Sequence, residues 1–262
     1  MQQAITYGCT ALVGTNKVGL LSKDADGYYD MVLGALQAYN SAGAFYELNQ
    51  AKQLFESSGE LMRRIANGAV RSEVGHPRYQ EGMSERAWFS RVNDIYEPNC
   101  CAHIAQVQLS YDTMRDDKGR PVVAIMGKVR PSGANERFLE RQLENPKENV
   151  CFSIRSFTND RVEGGRIVKY LKKIVTWDTV NEPGISIANK YSVPSLESIG
   201  SDCIADLDSY EFDLVNIAQF AKEEQANGVS MESGNAPASQ MLQLVGYVEK
   251  PIKVYVPASY RW

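Results

Sequence analysis

The feature that most constrains the fold is a pair of alternating apolar segments joined by a turn. In residues 102–111, alternate positions share one face of an extended chain: His103, Ala105, Val107, Leu109 and Tyr111. The second segment, 121–129, reads PVVAIMGKV, and the RDDKG sequence between the two is typical of a turn. Such a pair predicts an antiparallel hairpin, which disfavours a purely parallel α/β sheet.

Other segments predict further strands and helices around this hairpin. Strands are expected over 4–13, over AVRSEV before Gly75, over NVCFSIRSF and over 166–180. Helical spacing of apolar residues predicts helices over 46–66, ending at Asn67-Gly68, and over 134–145. A short helix is expected over 26–39, and residues 78–100 are interpreted as loop-rich, anchored to the core by Trp88 and Phe89.

The length of 262 residues allows one large domain, or one domain with an extension. The character of the sequence changes near residue 190, so we assign 1–190 to a core domain and 191–262 to a C-terminal extension. The Gly/Ser/Ala/Pro-rich stretch around 226–240 predicts a mobile segment within that extension.

Composition excludes several classes of function. The net charge of -4 argues against a general nucleic-acid binder. Apolar runs are too short for a membrane helix, and the N-terminus lacks the pattern of a signal peptide. The five cysteines form no CxxC pair, which favours a reduced, cytoplasmic protein without structural zinc. We find no metal-ligand cluster and no nucleotide loop, so no metal or cofactor is expected.

The chain contains two histidines, His76 and His103. Histidine is the usual general base near neutral pH, so these two residues are the first candidates for that role. His103 shares its strand face with apolar residues, where a histidine is more often structural than catalytic. His76 follows a predicted strand in Gly75-His76-Pro77. Functional side chains are often displayed at such a transition from strand to loop.

Ser153 is the candidate nucleophile. In NVCFSIRSF it shares one face of the strand with Cys151 and Arg155, opposite an apolar face. An arginine there could position or stabilise an oxyanion loop. From these residues alone, an ordinary strand with one solvated face is the commoner explanation.

Several segments, in order, resemble the prohead proteases of tailed phages, a group related in fold to the herpesvirus assemblins. The resemblance covers roughly 45–185 and rests on AFYELNQAKQLFESSGELMRRIANGAVRSEVGHP, CCAHIAQVQLSYD, GRPVVAIMGKVRP, ANERFLERQLENPKENVCFSIRS and IVKYLKKIVTWDTVNEPGI. The second strand of the hairpin closes on Pro-x-Gly, and the later strands carry the motifs Ser-x-Arg and Asp-x-Val. The fold that we expect is α+β, a mainly antiparallel β-barrel core flanked by helices.

The resemblance implies roles for individual residues. His76 matches the catalytic histidine of the family, Ser153 the nucleophile of Ser-x-Arg, and Arg155 the arginine of that motif. His103 falls where many members carry a second histidine, which makes it a candidate for the third catalytic residue. Other candidates to orient His76 are Asp94, Glu97 and Asp112. The residue after Ser-x-Arg is commonly glycine in the family, whereas Ser156 stands here.

The function that this resemblance implies is that of a serine endopeptidase, acting through an acyl-enzyme. It would cleave phage scaffold, capsid and other head proteins after glutamate, inside the assembling prohead in the host cytoplasm. The family also tends to cleave itself, and Ser230-Met231-Glu232-Ser233 is a candidate site, with cleavage after Glu232. Homo-oligomerisation or assembly is the expected control of activity. No nucleic-acid or membrane partner is expected.

Three alternatives stay open at this point. The chain could be a non-enzymatic head or scaffold protein that keeps the protease fold. It could be a cysteine hydrolase that uses Cys151 with His76. It could also be a binding module in which both histidines only pack.

Overall fold

The computed structural model describes residues 4–8, 21–56, 58–111, 114–192 and 209–226. The strands are β1 (Ala4–Gly8), β2 (Tyr29–Leu36), β3 (Ala38–Tyr39), β4 (Phe45–Tyr46), β5 (Arg71–Glu73), β6 (Cys100–Ser110), β7 (Val123–Pro131), β8 (Cys151–Glu163), β9 (Arg166–Val180) and β10 (Ser209–Asp213). The helices are α1 (Glu60–Ala66), α2 (Glu85–Asn93), α3 (Glu136–Glu144) and α4 (Leu214–Ala226).

The strands form two sheets around one large core. The first sheet has the order β10-β1-β8-β9-β4-β3, and the second has the order β2-β7-β6-β5. A bridge between Val74 and Thr179 connects the end of β5 to β9 and joins the two sheets along one side. Among the described strands only β4 and β9 pair in parallel. The prediction of an α+β, mainly antiparallel fold is confirmed. The described strands form a half-barrel.

Two hairpins position the residues of interest. The predicted pairing of 102–111 with 121–129 is confirmed by β6 and β7. The longer hairpin, β8–β9, turns at Gly164 and Gly165, whose φ angles are 57 and 79. Both glycines lie in the left-handed region that a tight hairpin turn requires. Two β-bulges, between Phe157 and Thr158 and between Arg155 and Ser156, then shift the register so that Ser153 pairs with Asp178.

Three predictions of local structure are wrong or incomplete. Residues 26–39 form a turn followed by β2 and β3, and not a helix. The apolar run of β2 is buried on both faces, so periodicity cannot distinguish strand from helix there. The helix over 46–66 divides into a 3-10 turn at 51–55 and α1, since Gly59 at the start of α1 is extended. The predicted loop 78–100 contains α2, which begins where Ser84 accepts a hydrogen bond from the Ala87 N–H.

The described part of the predicted C-terminal extension packs against the rest of the chain. β10 pairs with β1, and α4 follows β10 directly. A second apolar cluster joins α2, β8, β9, β10 and α4 through Trp88, Phe89, Val92, Phe157, Val175, Phe212, Ile217 and Ala221. Residues 209–226 therefore share a core with residues from the proposed core domain. The segment around 226–240 that is predicted to be mobile lies outside the described residues from residue 227 onwards.

No helix in the described part of the chain has the length and apolar character needed to cross a membrane.

Replacement of Phe212 tests whether residues 209–226 contribute to the stability of the folded chain. It is fully buried, and its ring centroid lies 5.2 Å from that of Phe89. We expect Phe212→Ala to lower the free energy of unfolding by about 3–5 kcal/mol, because the cavity removes aromatic contacts. Val215→Ala is the control, since Val215 is 71% exposed, and it should change stability by less than about 0.5 kcal/mol. Urea unfolding gives both values, and equal effects would contradict the packing.

Candidate active site

His76 lies at the point where β5 ends against β9. The preceding Gly75 has a φ of 72, a conformation that glycine adopts without strain. Its N–H donates to the carbonyl oxygen of Thr179 at 2.7 Å. This backbone contact holds the histidine beside the end of β9, as expected for a side chain displayed where a strand ends.

The imidazole of His76 is held by a buried carboxylate. Its Nδ1 lies 2.8 Å from Oδ2 of Asp178, which is fully buried on β9. An ionised carboxylate only accepts hydrogen bonds, so Nδ1 carries the proton in this contact. In the neutral ring, Nε2 then has the lone pair and is the nitrogen able to act as a base.

Arg155 clamps the same carboxylate from the other side. Its Nε donates to Oδ2 of Asp178 at 2.8 Å, and its Nη2 donates to Oδ1 at 2.6 Å. Nη1 donates to the carbonyl oxygen of Asp94, and Nη2 also reaches Glu73. The guanidinium is fully buried, and all three of its nitrogens donate to protein acceptors. Arg155 is therefore placed to position Asp178.

A second buried carboxylate, Glu73, completes the charge balance. It accepts hydrogen bonds from Arg155 Nη2 at 2.8 Å and from Arg91 Nη1 at 3.1 Å. The N–H of Tyr96 also donates to it. Two carboxylates thus face two guanidinium groups, which offsets the cost of taking these charges out of water.

The electrostatic surroundings keep Asp178 ionised. Burial alone would raise the pKa of its carboxyl group. The charge of Arg155 and the hydrogen bond from His76 outweigh that effect and hold the pKa below its usual value. At neutral pH the His76 ring therefore faces a negative charge.

Ser153 is the direct cross-strand neighbour of Asp178 in the β8–β9 hairpin. Such neighbours point to the same face of a sheet, with Cβ atoms about 5 Å apart. Arg155, two residues further on, lies on that face as well. Ser153 is 3% exposed. Asp178 thus connects the three residues: it bonds to His76 and to Arg155 and lies opposite Ser153 in the hairpin.

Cys151 and Ser156 flank the predicted nucleophile. Burial, with a smaller contribution from Glu182, raises the pKa of the Cys151 thiol to about 12. A thiol that stays protonated is a poor nucleophile, which disfavours the cysteine hydrolase. Ser156, where the family commonly has glycine, lies at a β-bulge, since the register with β9 shifts between Arg155 and Ser156.

His103 lies in a different environment. Its Nδ1 is 2.9 Å from the hydroxyl of Tyr28, and its Nε2 is 3.1 Å from the carbonyl oxygen of Gly68. Burial is the largest cause that lowers the pKa of this histidine. The partner that the structure gives to His76 is Asp178, and these contacts of His103 are those of a structural residue.

The acidic alternatives also have other contacts. The carboxylate of Asp94 accepts from the hydroxyl of Ser90 at 3.0 Å, and Glu97 forms an exposed ion pair with Arg71 at 3.5 Å. Asp112 and Glu232 lie outside the described residues. Sequence reasoning missed Asp178. Its signal was the Asp-x-Val motif on the closing strand, together with the pairing of that strand with the one that carries Ser153.

A cleft of about 440 Å³ opens beside His76. The strand ends of β5 and β9, the loop after His76 and helix α3 form its walls. The lining residues are Val74, Gly75, His76, Arg78, Phe138, Gln142, Thr179, Val180 and Asn181. The cleft gives an extended ligand a place to lie next to the imidazole. Among the described residues, no group of His, Cys, Asp and Glu side chains is arranged to bind a metal ion.

Comparison with known proteins identifies the family. A model of the Peptidase S80 family matches residues 7–244. The capsid maturation protease of Pseudomonas phage phiKZ is 39% identical over 198 residues, which cover 74% of this chain and 72% of that protein. The solved structure of the bacteriophage T4 capsid assembly protease matches with a TM-score of 0.43 at 10% identity, over 68% of this chain and 97% of that one. By the first two matches, the chain belongs to the Peptidase S80 family, and the predicted relation to phage prohead proteases is confirmed.

The buried carboxylate makes the stability depend on pH. The pKa of Asp178 is lower in the folded state than in the unfolded chain. Its contribution is therefore complete above the unfolded value, about 4, and is lost as the pH falls through the folded value. At pH 7 we expect Asp178→Asn to lower the free energy of unfolding by about 3–5 kcal/mol, because Arg155 stays buried without its full partner.

The pH profile separates this effect from a general loss of packing. The gap between the wild type and Asp178→Asn, measured by urea unfolding, should narrow as the pH falls below about 4. Asp30→Asn is the control, because the Asp30 side chain is 69% exposed and pairs with Lys128, and it should cost less than about 1 kcal/mol. A gap that stays constant with pH would contradict the ionised, ion-paired state of Asp178.

Proposed function

We propose that the protein is a serine endopeptidase with Ser153 as nucleophile, His76 as general base and Asp178 as the group that orients His76. The observation that carries this proposal is the hydrogen bond between His76 Nδ1 and the buried Asp178, whose direct cross-strand neighbour is Ser153. Nucleophile, base and orienting acid are the parts that acyl transfer by a serine requires. Membership of a peptidase family supports the same reaction.

The proposed reaction has two steps. Oγ of Ser153 attacks the carbonyl carbon of the scissile peptide bond while His76 Nε2 takes its proton. His76 then gives that proton to the leaving amine, the C–N bond breaks, and an acyl-enzyme remains. Water, activated by His76, hydrolyses the ester and restores the serine. Asp178 stays ionised throughout and stabilises the imidazolium form.

Arg155 acts in this mechanism through Asp178. With its three nitrogens donating to protein acceptors, it is not placed to contact a substrate oxyanion. We propose that backbone N–H groups near Ser153 donate hydrogen bonds to the oxyanion and stabilise it. This changes the role expected from the sequence, in which the arginine could also have served the oxyanion loop.

The relative from phage phiKZ is named a capsid maturation protease, and we extend that role to this chain. The proposed substrates are the scaffold, capsid and other head proteins of a phage, cleaved after glutamate inside the assembling prohead in the host cytoplasm. The chain itself, at Glu232, is a further proposed substrate, and assembly or homo-oligomerisation would control activity. The proposal includes a fold relation to the herpesvirus assemblins.

The alternative is a head or scaffold protein that keeps the protease fold without the activity. It predicts that replacing Ser153 has no effect on head-protein processing. The ionised carboxylate of Asp178 beside His76 argues against it, because buried charges next to a titratable group at a cleft cluster at functional sites.

Replacement of one side chain on β8 tests the function. The chain is co-expressed with the capsid and scaffold proteins of its phage, and their termini are mapped by mass spectrometry. We expect Ser153→Ala to abolish processing and Cys151→Ala, two residues away on the same strand face, to retain it. Processing that survives in Ser153→Ala but is lost in Cys151→Ala would support a cysteine nucleophile. Unprocessed proteins with the wild type would favour the inert head protein.

A further inference from the structure

A side chain of fixed positive charge lines the cleft beside His76. Among the described residues that line it, Arg78 is the only one with a side chain of fixed charge. Within the described part of the chain, Arg78 makes no hydrogen bond or ion pair. An arginine with five N–H donors and no protein acceptor at the edge of a cleft is available for a ligand.

The backbone around Arg78 is anchored on both sides. Pro77 before it is buried. Tyr79 after it donates from its hydroxyl to the carbonyl oxygen of Met83 at 2.9 Å, and its ring packs edge-on against Trp88 with centroids 5.8 Å apart. The backbone of Arg78 is therefore held in place, and Arg78 follows the proposed base, His76, by two positions in the sequence.

Helix α3 contributes a wall with an unsatisfied acceptor. Oε1 of Gln142 is buried and has no hydrogen-bond partner among the described residues. Phe138, one turn earlier, adds an exposed aromatic surface to the cleft. A bound peptide would supply both an N–H for the amide oxygen and apolar contact for the ring, whereas a small anion would supply neither.

We propose that Arg78 is the specificity-determining residue of this peptidase. Its guanidinium binds the carboxylate of the substrate residue whose carbonyl is attacked, and thereby selects an acidic side chain. A guanidinium pairs with a carboxylate through two parallel hydrogen bonds, which a neutral amide of the same shape cannot reproduce with the same strength. The inference rests on the proposed peptidase function and assigns the recognition of the acidic side chain to one residue.

A peptide library tests this assignment on many candidate sequences at once. The full chain is incubated with a tryptic digest of a bacterial proteome, and the cut sites are identified by mass spectrometry. The variants are Arg78→Ala, Arg78→Lys and Arg137→Ala. Arg137 is the matched control because it is an exposed arginine on α3 that does not line the cleft.

The measured quantity is the ratio of cuts after Glu to cuts after Gln. We expect Arg78→Ala to lower that ratio by about 10–100-fold, the range for a lost charge-assisted hydrogen bond. Arg78→Lys should restore part of it, and Arg137→Ala should leave it at the wild-type value. Labelling of Ser153 by a fluorophosphonate, which has no acidic side chain, tests the nucleophile separately from this ratio, and it should stay unchanged in Arg137→Ala.

Two results would overturn the assignment. One is a Glu preference that persists in Arg78→Ala, and the other is a wild type that cuts without preference for acidic residues. The first leaves the proposed function intact, and the second leaves the serine peptidase intact but contradicts its proposed cleavage after glutamate. A wild type that cuts no peptide and whose Ser153 is not labelled would instead contradict the proposed function, and this inference with it.

Discussion

The site depends on one fully buried carboxylate, that of Asp178. Asp178 accepts hydrogen bonds from Arg155 on β8 and bonds to His76 at the end of β5, while its own backbone lies in β9. An isolated carboxylate could not stay ionised at such a depth, because burial favours its neutral form. The guanidinium of Arg155 stabilises the negative charge of Asp178. That charge in turn fixes the orientation and the tautomer of the His76 imidazole.

The same network extends beyond the three residues proposed for catalysis. Glu73 binds both Arg155 and Arg91, so α2 is connected to the strands that carry the site. Breaking a buried pair leaves an uncompensated charge, which usually costs more than an intact pair contributes. The position of Asp178 is therefore determined by groups that never need to contact a substrate.

Sequence patterns predicted much of the fold where one face of a segment is apolar. The alternation in 102–129 predicted the β6–β7 hairpin, and helical spacing predicted α3. β2 was missed because both of its faces are buried, which removes the alternation that identifies a strand. Ser84, whose side chain caps the start of α2, was the local signal for a helix in a segment that was interpreted as a loop.

The candidate site was predicted only in part, for a physical reason. His76, Ser153 and Arg155 were predicted because the short motifs that contain them resemble those of the phage prohead proteases. The partner of His76 depends on the register between β8 and β9, which places Asp178 opposite Ser153. Register is set by the turn, by the two β-bulges of the hairpin and by packing, and none of these is visible in the residues around His76. The residues near His76 therefore do not predict Asp178 as its partner.

Labelling with a fluorophosphonate, followed by peptide mass spectrometry to locate the adduct, tests whether Asp178 and His76 activate Ser153. We expect an adduct on Ser153 that is lost in His76→Ala. Labelling should be slower by about 10⁴-fold in Asp178→Asn and unchanged in His103→Ala. Labelling of another residue, or labelling of Ser153 that needs His103 but not Asp178, would contradict that activation.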